Sequence, residues 1–368
     1  MKKILFTIIS SFLISINANK ALARSGLEIY PFVATQMAKR LFLNNETYSE
    51  GGEIDIGDII SSNPYLENNI SSYDIEKFKS ELNTYANNGK IRYKLTKDNC
   101  IFYYPTGKVL SKTKIKNMTP ISSVLYYPDG NIMEVKNFTN NGADVYAKAF
   151  YQNGALQAEI MVKDYKLAGT IKSYYENGNI QTSINHTNGK RDGIARFYYE
   201  NGNIQIEEKY KYGVLNGNHK EYYENGNLKA EVYYVDDVLN GPTKLYYENG
   251  NLQQEGVYKN GLLYGMVRLY YKNGNLQEET MYKEGQRHGF YKIYYENRKL
   301  KNDGTFKNDK IHGINHYYYE NGQIALKSTY SEGILLSLTA FDENGNELTS
   351  QLDITRVLLH FVSLENVI

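Results

Sequence analysis

The sequence predicts a mainly β protein: an elongated, twisted antiparallel sheet of about eleven 24-residue β-hairpin repeats, with a partly helical N-terminal region and a C-terminal cap. Three observations predict it. A phrase of the form Tyr-Tyr-Glu/Lys-Asn-Gly-Asn recurs every 24 residues, as at Tyr222, Tyr246 and Tyr270. The composition of 37 tyrosines, 30 glycines and no tryptophan is what such repetition leaves behind. Each period also holds two runs rich in tyrosine and aliphatic residues around an Asn-Gly, the strongest short hairpin signal in a sequence. Periods of 20 to 50 residues mark arrays in which each unit needs its neighbours to bury its faces.

The elements follow in chain order. Residues 1–23 read as a signal peptide: Lys2-Lys3, an apolar segment Ile4–Ile16, and a polar stretch ending Ala21-Leu22-Ala23. The apolar segment is thirteen residues, short of the roughly 20 that a spanning helix needs. Cleavage after Ala23 leaves 345 residues, and no cysteine follows the apolar segment to carry a lipid anchor. Removing three lysines and no acid turns 42 basic and 41 acidic residues into 39 and 41. That balance argues against nucleic acid or an anionic membrane as an electrostatic partner.

Residues 24–100 form the N-terminal region, expected to cap the array. Pro31–Leu43 suggests a short helix, and Tyr73–Asn88 places Ile75, Phe78, Leu82 and Tyr85 on one helical stripe ahead of Gly89. Gly51–Asn69 reads as loop with short strand possibilities. Cys100 is the only cysteine, so no internal disulfide forms, and beside Ile101 and Phe102 it reads as a buried small hydrophobe.

The array occupies 101–347. Its turn position falls at Gly107, Gly130, Gly154, Gly178, Gly202, Gly226, Gly250, Gly274, Arg298, Gly322 and Gly345. A two-residue type I′ turn at Asn249-Gly250 sets Tyr247 opposite Leu252, Tyr246 opposite Gln253 and Lys244 opposite Glu255. Carried along the array, this predicts a Tyr–aliphatic ladder from Tyr127 with Ile132 to Tyr319 with Ile324. It also predicts charge pairs Lys148–Glu159, Arg196–Glu207, Lys220–Glu231, Lys244–Glu255, Arg268–Glu279 and Lys292–Asp303, broken where Lys172 opposes Ser183 and His316 opposes Lys327. A third column runs Phe138, Val162, His186, Tyr210, Tyr234, Tyr258, Tyr282, Phe306 and Tyr330, which makes His186 a column member and not a ligand. The second turn, Asn260-Gly261 through Gly265, reads as a longer, bulged connection. If pairing is sequential, about 22 strands at about 4.8 Å give a ribbon on the order of 100 Å. Residues 348–368 are apolar enough to cover a terminal hairpin.

The unit Tyr-Tyr-Glu-Asn-Gly-Asn-Leu-x-x-Glu, followed by Tyr-Lys-Asn-Gly-x-x-x-Gly, resembles the variant MORN repeat of bacterial proteins often labelled antitoxin components of toxin–antitoxin modules. The resemblance covers about two thirds of the chain and implies an elongated, twisted sheet and a role in binding, without chemistry. Departures are Ala195, His219, Thr243, Val267, Tyr291 and Asn315 where a large aromatic is often found, Arg298 at the turn glycine, and Asp237 and Asp309 at the second turn. Joined to an export signal, an antitoxin role implies an immunity protein for an exported toxin.

No phosphate-binding loop, kinase catalytic loop or nucleophile elbow is present. His312 and His316 lack a third ligand, so no metal site and no cofactor is expected. The expected function is that of an exported, non-enzymatic repeat protein that binds another macromolecule in the periplasm, at the surface or outside the cell; an antitoxin or immunity protein, and an envelope lipid-associated or structural surface protein, are the alternatives. A protein partner is expected and nucleic acid is not; membrane contact would be weak or dependent on headgroups. The partner-binding candidates are Leu215, Leu239, Leu263 and Tyr264 at the second-turn tips, where packing of one turn on the next competes with partner contact.

Overall fold

The computed structural model describes residues 52–55, 90–96, 98–117 and 119–362. The signal segment and the helices expected over Pro31–Leu43 and Tyr73–Asn88 lie outside those residues. Within the stretch read as loop, Gly52–Asp55 is a strand that pairs antiparallel with Lys90–Leu95.

The chain divides into two units, Met1–Gly202 and Asn203–Ile368. In the first, strands from Lys90–Leu95 to Lys190–Tyr198 pair antiparallel in sequence order. In the second, the same meander runs from Ile204–Lys211 to Ile334–Ala340. The protein is mainly β, with one α-helix among the described residues, Gln351–Val362.

The two turns of the unit exchange the roles the sequence assigned them. At Asn249-Gly250 only Gly250 has positive φ, +89°. The Gly250 N–H bonds the Tyr247 carbonyl at 2.8 Å and the Tyr247 N–H bonds the Asn251 carbonyl at 2.8 Å. This is a three-residue loop, Glu248-Asn249-Gly250, made of a type I turn closed by a glycine bulge. The Asn249 side chain selects it, because its Oδ1 accepts the Asn251 N–H at 3.1 Å. The tight two-residue turn is the other one: Lys259 pairs Leu262 across Asn260 (φ 51°) and Gly261 (φ 80°), the positive-φ pair that type I′ demands. The looseness foreseen there sits further along the strand, as a bulge. Between Glu208–His219 and Tyr210–Leu215 the register slips by two residues.

The three-residue loop displaces the Tyr–aliphatic ladder. Leu252 faces Tyr246, not Tyr247, and a bulge then sets Gln254 opposite Leu245. The two one-residue irregularities cancel, so Lys244 faces Glu255 as the sequence predicts. Lys148–Glu159, Lys220–Glu231, Arg268–Glu279 and Lys292–Asp303 are likewise directly opposed, as are the exceptions Lys172–Ser183 and His316–Lys327.

The doubled tyrosine has a different use for each ring. The second tyrosine donates its hydroxyl to the carbonyl of the first aromatic residue in the next unit: Tyr151 to Tyr174 at 2.7 Å, Tyr223 to Tyr246, Tyr247 to Tyr270 and Tyr271 to Tyr294 at 2.7 to 2.8 Å. The first tyrosine turns to the other face and reaches an acid one strand back, as Tyr270 does to Glu255 at 2.8 Å. The asparagines add a third row. Asn249 and Asn251 each donate to the Lys272 carbonyl at 3.0 Å. Each such bond contributes about 1 kcal/mol, and all of them tie one hairpin to the next.

Alternation divides the strands into an outer face, with the charge row, and an inner face. In the second unit the inner row runs through His219, Val232, Thr243, Gly256, Val267, Thr280, Tyr291, Gly304, Asn315 and Ser328. Its side chains are buried. Gly304 makes room there for its two larger neighbours: a Cβ on it would overlap Asn315 Oδ1 and stand 3.0 Å from the Tyr291 ring. The first unit buries Cys100, Ala147, Ile160 and Ile171 on its own inner row, and burial pushes the Cys100 thiol up to about 12. At the C-terminal end the helix lays Phe361 against Tyr317 and Tyr319, ring centroids 5.7 Å from each, over Ala325, Leu326 and Ala340.

Candidate functional site

The second-turn tips are built from the two-residue turns. Leu215, Leu239 and Leu263 each stand one position beyond the turn, directly opposite Tyr210, Tyr234 and Tyr258. They are therefore partners of the third aromatic column. Their carbonyls accept the N–H groups of the next turn, Asp237, Gly261 and Gly285, at 2.8 to 2.9 Å, so turn stacks on turn. The leucines are half-buried by this packing. Tyr264 differs: it is 47% exposed and carries the Lys259 ammonium 5.4 Å from its ring centroid. Val238 and Leu262, one residue before the tip leucines, are exposed to a similar degree. With Tyr264 they add exposed apolar side chains to the tips on which the candidate leucines stand.

Asp237 and Asp309 replace glycine in these turns at φ of 65° and 64°. Each accepts a backbone N–H from the previous turn, Leu215 at 2.7 Å and Arg287 at 3.0 Å. The side chain thus adds a bond where the backbone is strained.

The outer face holds a surface that the sequence reading missed. Beside the charge row, two residues along each strand, lies a second row: Tyr233, Pro242, Val257, Met266, Met281, Phe290, Thr305 and Ile314. Val257 and Phe290 are 45% exposed and Ile314 52%. The available signal was the residue directly after the second glycine, which reads Pro242, Met266, Phe290 and Ile314 in successive units.

The inner face holds the most perturbed group. His219 Nδ1 lies 3.1 Å from Glu208 Oε1 and Nε2 lies 3.4 Å from Glu221 Oε1. Tyr210 donates to Glu208 Oε2 at 2.8 Å, and Lys229 Nζ stands 3.2 Å from Glu221 Oε2. Burial alone would lower the histidine pKa, but the two carboxylates outweigh it and push it up to about 9. Burial would raise Glu221, yet His219 and Lys229 hold it below the usual range. An imidazolium clamped between two carboxylates at 5% exposure is a closed ion triad that pins strand register. The neighbouring acids Glu207 and Glu208 therefore divide between the two faces, Glu207 opposite Lys220 and Glu208 opposite His219. In the first unit Glu134 and Lys136 are also buried, 3.1 Å apart, and burial pushes Glu134 up to about 7. His186 is buried with its Nδ1 3.2 Å from the Ile184 carbonyl, and burial lowers its pKa.

The remaining histidines have separate partners. His312 Nδ1 accepts the Glu332 N–H at 3.3 Å, and His316 Nδ1 lies 2.9 Å from Asp303. Among the described residues no cluster of three His, Cys, Asp or Glu side chains is placed to hold a metal. Nor is any described helix long and apolar enough to cross a membrane.

Six segments of the chain match the family model of the MORN repeat variant, at residues 167–188, 191–212, 215–236, 239–260, 263–284 and 311–332. Each runs from one two-residue turn to the next and carries the Asn-Gly loop at its centre. These six segments, within residues 167–332, are repeats of the MORN variant family. The stretch between 284 and 311, which holds Arg298, is not among the matched segments. MORN units are β-sheet repeats that typically carry no catalysis, and here the side chains that vary between units line the inner row, the tips and the outer apolar row. No curated protein matches the chain.

Proposed function

We propose that this is an exported, non-enzymatic MORN-variant protein that binds another macromolecule, through the edge formed by its stacked second turns. The observation that carries the reading is the exposure of Val238, Leu262 and Tyr264 along consecutive tips, where the turn-to-turn hydrogen bonds are already made by the backbone. Repeated units display such residues at a fixed pitch, which suits a large or extended partner. Tyr264 is the anchor in this reading, with Leu215, Leu239 and Leu263 supporting the edge from beneath. The layout of residues 1–23 supports export and cleavage after Ala23, and the near-neutral balance of 42 basic and 41 acidic residues supports a protein partner over nucleic acid. The array is read as eleven units over 101–347, with 24–100 and 348–368 covering its ends.

The test is affinity capture with residues 24–368 from envelope, secreted and cytosolic fractions, in parallel with the Leu262→Asp/Tyr264→Asp double variant. Stoichiometric recovery of one protein by the native chain, lost in the variant at unchanged melting temperature, is the expected result. A recovered protein that is toxic when expressed alone identifies the partner as a toxin and the chain as its immunity protein. Equal recovery by both chains removes the tip edge, and recovery of lipid alone replaces the protein partner with an envelope association. A cell-associated chain retaining Met1 removes export.

A further inference from the structure

Along the outer face of the second unit the charges alternate without a break for seven strands: Glu231, Lys244, Glu255, Arg268, Glu279, Lys292 and Asp303, with His316 next. Within the chain each charge is flanked by opposite neighbours, as Arg268 is by Glu255 at 3.3 Å and Glu279 at 3.0 Å. An alternating row has a symmetry property. If a second identical row is laid over it in reverse, about a two-fold axis between two adjacent strands, every charge meets one of opposite sign. The axis runs along the strands, so charge row covers charge row and apolar row covers apolar row.

The apolar row selects where that axis lies. Placed between Met266 and Met281, it sets Met266 over Met281, Val257 over Phe290 and Tyr233 over Ile314, leaving Pro242 over Thr305. The same axis sets Arg268 over Glu279, Glu255 over Lys292, Lys244 over Asp303 and Glu231 over His316. We propose that the outer face of residues 231–316 is a self-association surface, on which a second copy of this chain docks face to face about this two-fold.

Three physical points favour this occupant. Two sheets stacked face to face keep their strands within about 30° of one another at about 10 Å separation, the arrangement this axis produces. Eight strands at about 4.8 Å and three side-chain rows, the charge row flanked by the apolar row and by the first tyrosines Tyr246, Tyr270 and Tyr294, give a footprint on the order of 800 Å² per copy, the size of a specific interface. A lipid surface of one charge sign would meet alternating charges that sum to nearly nothing, whereas a reversed copy meets its complement at each step. The residues invoked differ from those of the turn-tip edge, and this inference does not rest on export or on the partner proposed above.

The test is sedimentation equilibrium of the purified chain. The native protein is expected at twice the monomer mass of 42.3 kDa. Phe290→Asp, at a half-exposed position, is expected to raise the dimer dissociation constant by about a hundredfold, as removal of a central anchor does, with the circular dichroism spectrum of the folded chain unchanged. Lys244→Glu and Asp303→Lys are each expected to weaken the dimer, because each places two like-charge pairs across the axis. Mixing the two variants is expected to restore association, because a heterodimer matches opposite charges at both places, and only contact between chains can produce that rescue. A native chain that is monomeric at every loading concentration overturns the proposal, as does a dimer that Phe290→Asp leaves intact. A monomer that floats with phosphatidylglycerol vesicles, and loses that binding in Phe290→Asp, overturns it in favour of a lipid surface. None of these results changes what the capture experiment reports.

Discussion

The two faces of the second unit are built from the same strands by opposite rules. On the outer face one column is written nearly identically from unit to unit, a cation opposite an acid, and any single pair matters little. On the inner face the corresponding column is different every time, His219, Thr243, Val267, Tyr291 and Asn315, and each member fits only its own neighbours. Uniform side chains set register, since a one-residue slip would turn every charge inward. Varied side chains set packing. The difference teaches that a repeat can be regular in its backbone while its stability resides in what is not repeated.

The largest test of that contrast is Gly304→Ala. A methyl there overlaps Asn315 Oδ1 and crowds the Tyr291 ring, and overpacking of this severity costs about 3 kcal/mol. Urea denaturation of the variant is expected to show the loss, and adding Asn315→Ala should recover part of it by vacating the space. On the outer face Lys292→Ala, which removes one partner of an exposed pair, is expected to stay within about 0.5 kcal/mol. Equal losses at the two positions would break the contrast.

The second test uses pH. His219 sits at about 9 in the folded chain against about 6.5 unfolded. Because the folded value is the higher, its stabilisation is complete below about 6.5 and is lost as pH rises through 9. Unfolding midpoints are expected to fall between pH 6.5 and 9.5 by the equivalent of about 2 to 3 kcal/mol. Glu208→Gln removes one carboxylate from the clamp and should flatten that slope. An unchanged slope would mean that the inner histidine is held by something other than its two acids.

The uniform face was legible in the sequence and the varied one was not, for a physical reason. Opposite charges repeating at constant offset announce their pairing, and Lys244 with Glu255 was found although the turn between them was misassigned. The three-residue loop at Glu248-Asn249-Gly250 and the bulge at Gln253 shift the register by one residue each way, so pairs beyond both are indifferent to the error. Tyr247, inside it, is not. The inner column was visible as a list of departures from the family pattern, but Ala195, His219 and Asn315 share no chemistry that marks them as interior. Carrying the register of the two-residue turn along the strand sets Glu208 opposite Gly217, and only the two-residue slip at the bulge brings it opposite His219, so the clamp was hidden by the bulge. For the tip leucines the sequence left turn packing and partner contact open; the pair next to the closing pair of a tight turn faces the aromatic column, so register half-buries Leu215, Leu239 and Leu263.

Between the faces lies the loop edge, and there the hydroxyl of the second tyrosine is the repeated element. Tyr247→Phe keeps the ring and removes the bond to the Tyr270 carbonyl. The expected cost is about 1 kcal/mol, from one hydrogen bond lost and one carbonyl left to water. Native-state hydrogen exchange should place the loss at the hairpins joined by that bond. A cost well above this would make the edge, and not the inner face, the main source of cohesion between units.

The smallest effect expected is a gain. Arg298 stands where the other loops carry glycine, at φ 72°, a left-handed conformation that costs a non-glycine residue about 1 kcal/mol or more. Its N–H still bonds the Tyr295 carbonyl at 2.9 Å, so the loop itself is unchanged. The strain is partly offset by Nε donating to Asn275 Oδ1 at 2.8 Å on the neighbouring loop, an exposed bond. Arg298→Gly removes both terms and adds chain entropy to the unfolded state, which leaves a net stabilisation of about 0.5 kcal/mol. A rise in melting temperature of a degree or two would confirm that the loop edge obeys the uniform rule and tolerates its one exception at a small cost. A fall would mean that the arginine bridge to Asn275 outweighs the backbone strain, and that this edge, like the inner face, draws stability from a residue that is not repeated.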